Sequence, residues 1–309
     1  MTTAISRTAA PVPARRRRPF NPRTAGAWAL LVLAIAVSVV PFLWVLRTAL
    51  STNAALASNS TSLLPAEFTF GAFMRVFGLQ SPADAVAEGG SGAAIDFWVY
   101  LRNSIVFSSI TTAGAVFFSA MAAYAFSRLR FRFKETVYFL LITTMIVPVQ
   151  IILVPLLPWF RTLHLTGDVS QYLGIVLVHV AFGAGWAVFM LGGFMAEVPE
   201  EILEAARMDG ASHFRVFRNI MLPLTLPGIA SFALIDFVFV WNDLLLGLTL
   251  LDRDHQPLTV GLANLQAPHL SQEDLVSAGS IMAILPPLLL FALLNRYYVR
   301  GLFAGGVKG

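Results

Sequence analysis

The chain has 309 residues, of which 57% are apolar and only 12% charged, with a net charge of +4 and a mean hydropathy of +0.73. Charged residues run at about half the share of a soluble domain, and a water-soluble fold of this length needs far more polar surface. An ordinary soluble enzyme, a disordered scaffold and a fibre are excluded, which leaves a polytopic membrane protein. Cysteine is absent, so disulfides, thiolate metal sites and cysteine nucleophiles are excluded as well.

The first acidic residue is Glu67, so residues 1–24 form a purely basic stretch. They read as a disordered cytoplasmic tail whose Arg15 to Arg18 lie near anionic lipid head groups. Residues 25–309 then read as one membrane domain. Uncharged runs extend over Thr24–Leu46, Asn103–Ser127, Thr136–Phe160, Val169–Ala196 and Leu275–Asn295. A further run, Asn219–Leu251, is interrupted only by Asp236 and Asp243. Each run reaches the roughly 20 residues that carry a helix across the hydrocarbon core. The reading is all-α, with six spans at about 25–46, 100–126, 136–160, 171–195, 224–250 and 277–296.

Six spans put both termini on one side. If that side is cytoplasmic, the inner segments hold 16 of the 21 basic residues and the outer ones keep only Arg47, Arg75, Arg102, Arg161 and Arg253. The positive-inside rule therefore places both ends in the cytoplasm. Outside, residues 48–98 form a long loop with a partly ordered first half and a flexible, Gly-rich second half. Residues 161–168 form a short turn, and 252–274 a medium loop.

Chemistry is conspicuously missing. Neither Lys134 nor Lys308 completes a phosphate-cradling G-x-x-x-x-G-K-[ST] loop, H-E-x-x-H does not occur, and the five histidines are scattered. No catalytic residue, metal ligand set or bound cofactor is expected, and nothing points to a nucleic-acid partner.

The cytoplasmic segment 197–223 is the most informative. Pro199 suits a first helical position, and Glu200 and Glu201 suit a helix N-terminus. Gly210 stops that helix, Ser212 caps a second short one, and Pro223 leads into the fifth span. The pair either lies on the membrane surface or presents a rigid knob to another protein.

Glu204-Ala205-Ala206, then Gly210, then Ile220-x-Leu222-Pro223 is the EAA motif. It resembles the permease subunits of binding-protein-dependent ABC importers, and the neighbouring Asp209 fits it. Trp241-Asn242-Asp243, Pro257 to Leu262 and the tail from Arg296 to Gly309 resemble the carbohydrate-uptake branch, in particular the six-span permease of maltose-type importers. The resemblance covers about residues 25–309 and implies the type I ABC importer permease fold in a bacterial or archaeal cell membrane. It implies a heterodimer with a second permease, two ATP-binding subunits that use ATP and Mg, and an extracytoplasmic sugar-binding protein. It places Glu204, Ala205, Ala206, Asp209, Gly210, Ile220, Leu222 and Pro223 in the segment coupling the pathway to the ATPase. It also implies that loop 252–274 reaches into the binding protein and that Gly305–Gly309 enters the ATPase interface.

Candidate pathway residues are Asp236, Trp241, Asn242 and Asp243. A carboxylate in lipid costs roughly 2.5–3.5 kcal/mol on insertion scales, so both aspartates face the bundle interior or water. Asp236 binds sugar hydroxyls, caps a broken helix or pairs with an arginine of the second permease, a structural or gating role being preferred. Asp243 with Asn242 is placed near the outer interface. Pro148, Pro155, Pro158 and Pro286-Pro287 point to bent spans around a cavity. The alternative to an importer subunit is a stand-alone ion-coupled carrier that uses Asp236.

Overall fold

The computed structural model describes residues 22–58, 62, 64–65, 67–87, 92, 94–266 and 272–306. Most of the basic tail, the Gly-rich stretch 89–91 and the last three residues lie outside them. The chain divides into two compact units at Trp44/Val45. In the first unit, helix α1 begins at Pro22, and its full course is Pro22–Ala49 with Pro41 inside it.

The second unit is helical. Three short helices, α2 (Asn53–Ser58), α3 (Gly71–Val76) and α4 (Pro82–Ala87), lie in the segment between α1 and α5. The long helices are α5 (Phe97–Arg128), α8 (Asp168–Ala196), α11 (Leu222–Trp241) and α14 (Glu273–Gly306). Between them lie α6 (Lys134–Thr143), α7 (Val149–Thr162), α9 (Glu200–Met208), α10 (His213–Val216), α12 (Leu245–Leu250) and α13 (Leu258–Asn264). Among the described residues, five helices are long and apolar enough to cross a membrane, or six spans if the bent pair α6–α7 counts as one.

The packing is that of a membrane body. α5 turns Ser104, Ser108, Thr111, Ala115, Ser119 and Ala123 inward and leaves Ile110, Phe117 and Phe118 outside. Small residues let α5 and α8 lie close together, where lipid provides no hydrophobic drive to pull them in. α11 packs against both, and α14 against α11.

Three boundaries differ from the sequence reading. The span expected at 136–160 is bent by 100° between Ile146 and Val149. Pro148 forces Val147 into extended backbone (ψ 118°), which no helix tolerates. Pro155, Pro158, Pro286 and Pro287 sit inside helices that continue through them. The span expected at 224–250 ends at Trp241, and α12 is a separate helix capped by Asp243. At its other end it begins earlier, because α10 runs into α11 through a wide π-turn, Phe217–Met221. Pro223 offers no N–H to the preceding turn, and the wider turn makes room for its ring. The expected second, separate short helix is therefore the inner end of the fifth span.

Arg75 of α3 and Asp274 of α14 form an ion pair, with both side chains almost fully buried. The segment 254–258 is fastened to α5: Asn103 Nδ2 donates to the carbonyls of Asp254 and Gln256 at 2.8 and 3.1 Å, and the Leu258 N–H donates to Ser104 Oγ at 2.7 Å. The tip of the loop expected to meet a binding protein, 267–271, lies outside the described residues.

Candidate functional site

In the segment joining α8 to α11, Pro199 is the N-cap of α9 rather than its first residue, with ψ at 136°. Glu200 and Glu201 occupy the first turn, where the helix dipole favours them. The far end closes in a Schellman turn: the Ala211 N–H donates to the Ala206 carbonyl and the Gly210 N–H to Arg207, both at 3.0 Å. Gly210 has φ +79°, and a Cβ there would meet nothing within 4 Å. Gly210→Ala therefore costs only the left-handed backbone penalty, about 1–2 kcal/mol, readable as faster amide exchange at Gly210 and Ala211.

The EAA motif divides between two tasks. Leu203, fully buried, roots α9 in an apolar core with Val198, Val216, Phe217 and Met221. Ala206, Ile220 and Leu222 pack partly against that core. Glu204, Ala205, Asp209, Gly210 and Pro223 stay exposed. Beside them lie bare apolar side chains: Met208 is 87% exposed, Phe214 63% and Ile202 42%. Such a cluster on a rigid helix marks an interaction surface.

A clamp that the sequence reading missed holds α9 in place. Arg128, the last residue of α5, donates to Glu200 Oε2 at 2.8 Å, to the Met195 carbonyl at 2.6 Å and to the Val198 carbonyl. Arg207 donates to the other Glu200 oxygen at 3.0 Å. One guanidinium thus caps the end of α8 and ties α9 to α5. In the sequence Arg128 is only one of the 21 basic residues; two of its three targets are backbone carbonyls, which leave no mark in a sequence. Desolvation alone raises the pKa of Glu200, but the hydrogen bonds from Arg207 and Arg128 outweigh it and hold the carboxyl below the usual glutamate value. The stabilising contribution is thus complete above that value and is lost as pH falls through the lowered one. The protection of α9 amides, taken relative to the intrinsic exchange rate at each pH, is expected to be high at neutral pH and to fall in acid.

A cavity of about 440 Å³ lies between α8, α11 and the bend of α6–α7. His179, Phe182 and Trp186 line it from one face of α8; Asp236 and Phe239 line it from α11, with Asp243 just beyond. Asp236 is buried and accepts from Thr112 Oγ1 at 2.9 Å. The Asp243 carboxylate accepts the N–H groups of Leu246 and Gly247, at 3.4 and 2.9 Å. His179 Nε2 is buried, makes no hydrogen bond and stops 3.7 Å from Asp243. The structure thus brings Asp236 and Asp243 together. Trp241 is not part of the cavity: it stacks on Phe237 at 5.6 Å within the outer apolar core. Asn242 is exposed and turns back to the Val238 carbonyl at 2.7 Å. Among the described residues, no three His, Asp or Glu side chains gather as metal ligands.

Residues 115–303 match the family described as binding-protein-dependent transport system inner membrane component. The chain is 32% identical over 286 residues to the osmoprotective compounds uptake permease protein GgtD of Synechocystis sp., covering 91% of this chain and 93% of that one. It is 36% identical over 237 residues to the alpha-glucoside transport system permease protein AglG of Rhizobium meliloti, covering 75% and 61%. Among solved structures, a chain of a bacterial ABC transporter that imports the acidic polysaccharide alginate superposes with a TM-score of 0.69 at 22% identity, covering 94% of this chain and all of that one.

Proposed function

Because the chain belongs to the family of binding-protein-dependent transport system inner membrane components, we propose that it is one of two permeases in an ATP-driven importer of sugars or oligosaccharides. It forms half of the pathway and performs no catalysis; two partner ATPase subunits use ATP and Mg, and an extracytoplasmic binding protein delivers the solute. Both termini lie in the cytoplasm, in keeping with the 16 of 21 cations on that side. The likeness to an alpha-glucoside permease supports the carbohydrate class.

One observation carries the coupling role. The EAA motif builds a nine-residue helix that is rooted by Leu203, clamped by Arg128 and bare on its outer face around Glu204, Ala205 and Met208. That face docks into an ATPase subunit, and Asp209 and Gly210 shape its end. A rigid helix passes a push into the spans; a frayed one absorbs it. Ile220, Leu222 and Pro223 continue the same path into α11. Family membership does not support a self-sufficient carrier built on Asp236.

The test is the double variant Glu204→Ala with Gly210→Pro. Proline cannot adopt φ +79°, so the turn after α9 is lost. ATP-driven uptake and co-purification of the ATPase subunits should both fall, with the variant still inserted and monodisperse. Unchanged uptake would refute the coupling role.

A further inference from the structure

The cavity between α8 and α11 has an incomplete set of partners. His179 is buried to within 5% of its side-chain surface, yet its Nε2 makes no hydrogen bond and reaches Asp243 only at 3.7 Å. An unsatisfied buried group costs roughly 1–3 kcal/mol, which a ligand group in the cavity would recover. Asp236 uses one oxygen for Thr112. On the side of the other oxygen stands Gly183, where a Cβ would come within 3.9 Å of Oδ1. The missing side chain leaves space beside that carboxylate.

We propose that this cavity is a solute subsite contributed by this chain, taking one ring of a neutral polyhydroxyl compound. The inference rests on the carbohydrate reading above and adds direct contact between this permease and the solute. Hydroxyls suit the polar groups: they donate to Asp236 and Asp243, and they either donate to or accept from His179 Nε2. The rings of Phe182, Trp186 and Phe239 offer apolar faces to the C–H surface of a sugar ring, and Trp186 is backed by Phe232 at 5.3 Å. The volume falls within the roughly 300–1,000 Å³ of ligand pockets. No Lys or Arg lines the space, so an anionic sugar would meet two acidic side chains with His179 as the sole basic group beside them. Ionisable side chains at this depth in a bundle mark pathways rather than lipid-facing surface.

This chain has no cysteine, so a single one introduced into it is read without background once the labelled subunits are separated. Phe182→Cys is introduced into the complete importer, and the thiol is treated with water-soluble ethylammonium and ethylsulfonate methanethiosulfonates. The cationic reagent should react about tenfold or more faster than the anionic one, because two carboxylates focus cations in the cleft. Adding Asp236→Asn should shrink that preference. ATP-driven uptake of maltose, trehalose and raffinose is measured alongside, and a transported sugar should slow the labelling. Gly183→Leu, filling the space beside Asp236, should raise the KM for that sugar more than it lowers the maximal rate. Failure of the complex to accumulate any of the three sugars would overturn the carbohydrate reading itself. Uptake with no labelling by either reagent would mean that the second permease or lipid fills the cavity, and would overturn the subsite alone. Equal labelling by both reagents, or no protection by a transported sugar, would overturn it too.

Discussion

Arg128→Ala is expected to abolish most ATP-driven uptake while leaving the protein in the membrane. The side chain is 10% exposed and bonds to the Met195 and Val198 carbonyls and to Glu200. Removing it strips the end of α8 of its cap and releases α9 from α5. Each carbonyl left dry costs roughly 1–3 kcal/mol, and the segment is expected to relieve that cost by loosening towards water. In the coupling role proposed for α9 it must be held stiffly against the spans, so losing even about 1.4 kcal/mol of coupling is expected to lower uptake about tenfold. Basal ATP hydrolysis by the partner should persist, no longer tied to solute movement. Arg128→Lys should restore little, since an ammonium lacks the planar fork that reaches three acceptors at once. Uptake and ATPase rates in proteoliposomes, with amide exchange over residues 197–211, check the expectation. Slow exchange and normal uptake in Arg128→Ala would show that the clamp is dispensable.

Asp274→Ala is expected to be the most destabilising substitution on the outer side. It leaves the Arg75 guanidinium buried, its side chain only 4% exposed, and removes the Asp274 carboxylate from it. Breaking such a pair from one side costs about 3–5 kcal/mol, whereas replacing both members with apolar residues is often neutral. That loss is a large part of a typical stability of about 5–15 kcal/mol. The midpoint of thermal unfolding in detergent should drop markedly for Asp274→Ala and recover in the double variant Arg75→Met with Asp274→Leu. If the double variant is as unstable as the single one, the pair is not what holds α3 to α14.

The architecture was largely legible because lipid imposes a coarse rule: uninterrupted apolar length. The EAA spacing located α9 and its stop, since only glycine takes the φ of Gly210 cheaply. Finer features follow from contacts distant in sequence. Pro148 breaks its span while Pro155 does not, a difference that the proline itself does not carry. Trp241 lies next to two residues at the cavity end of α11, yet points the other way, because the helix ends there and its ring meets Phe237. His179 was set aside as one of five scattered histidines; only folding brings it to 3.7 Å from Asp243. The role of Arg128 was hidden because it acts on main-chain oxygens.

The central claim is that this chain is a passive gate, worked from its inner face by another subunit's nucleotide cycle. The most direct measurement is solute accumulation in proteoliposomes holding either the purified chain alone or the chain assembled with its second permease and ATPase subunits. Accumulation is expected only in the assembled vesicles and only with ATP and the binding protein supplied. Accumulation by the chain alone, driven by an ion gradient and lost in Asp236→Asn, would contradict it.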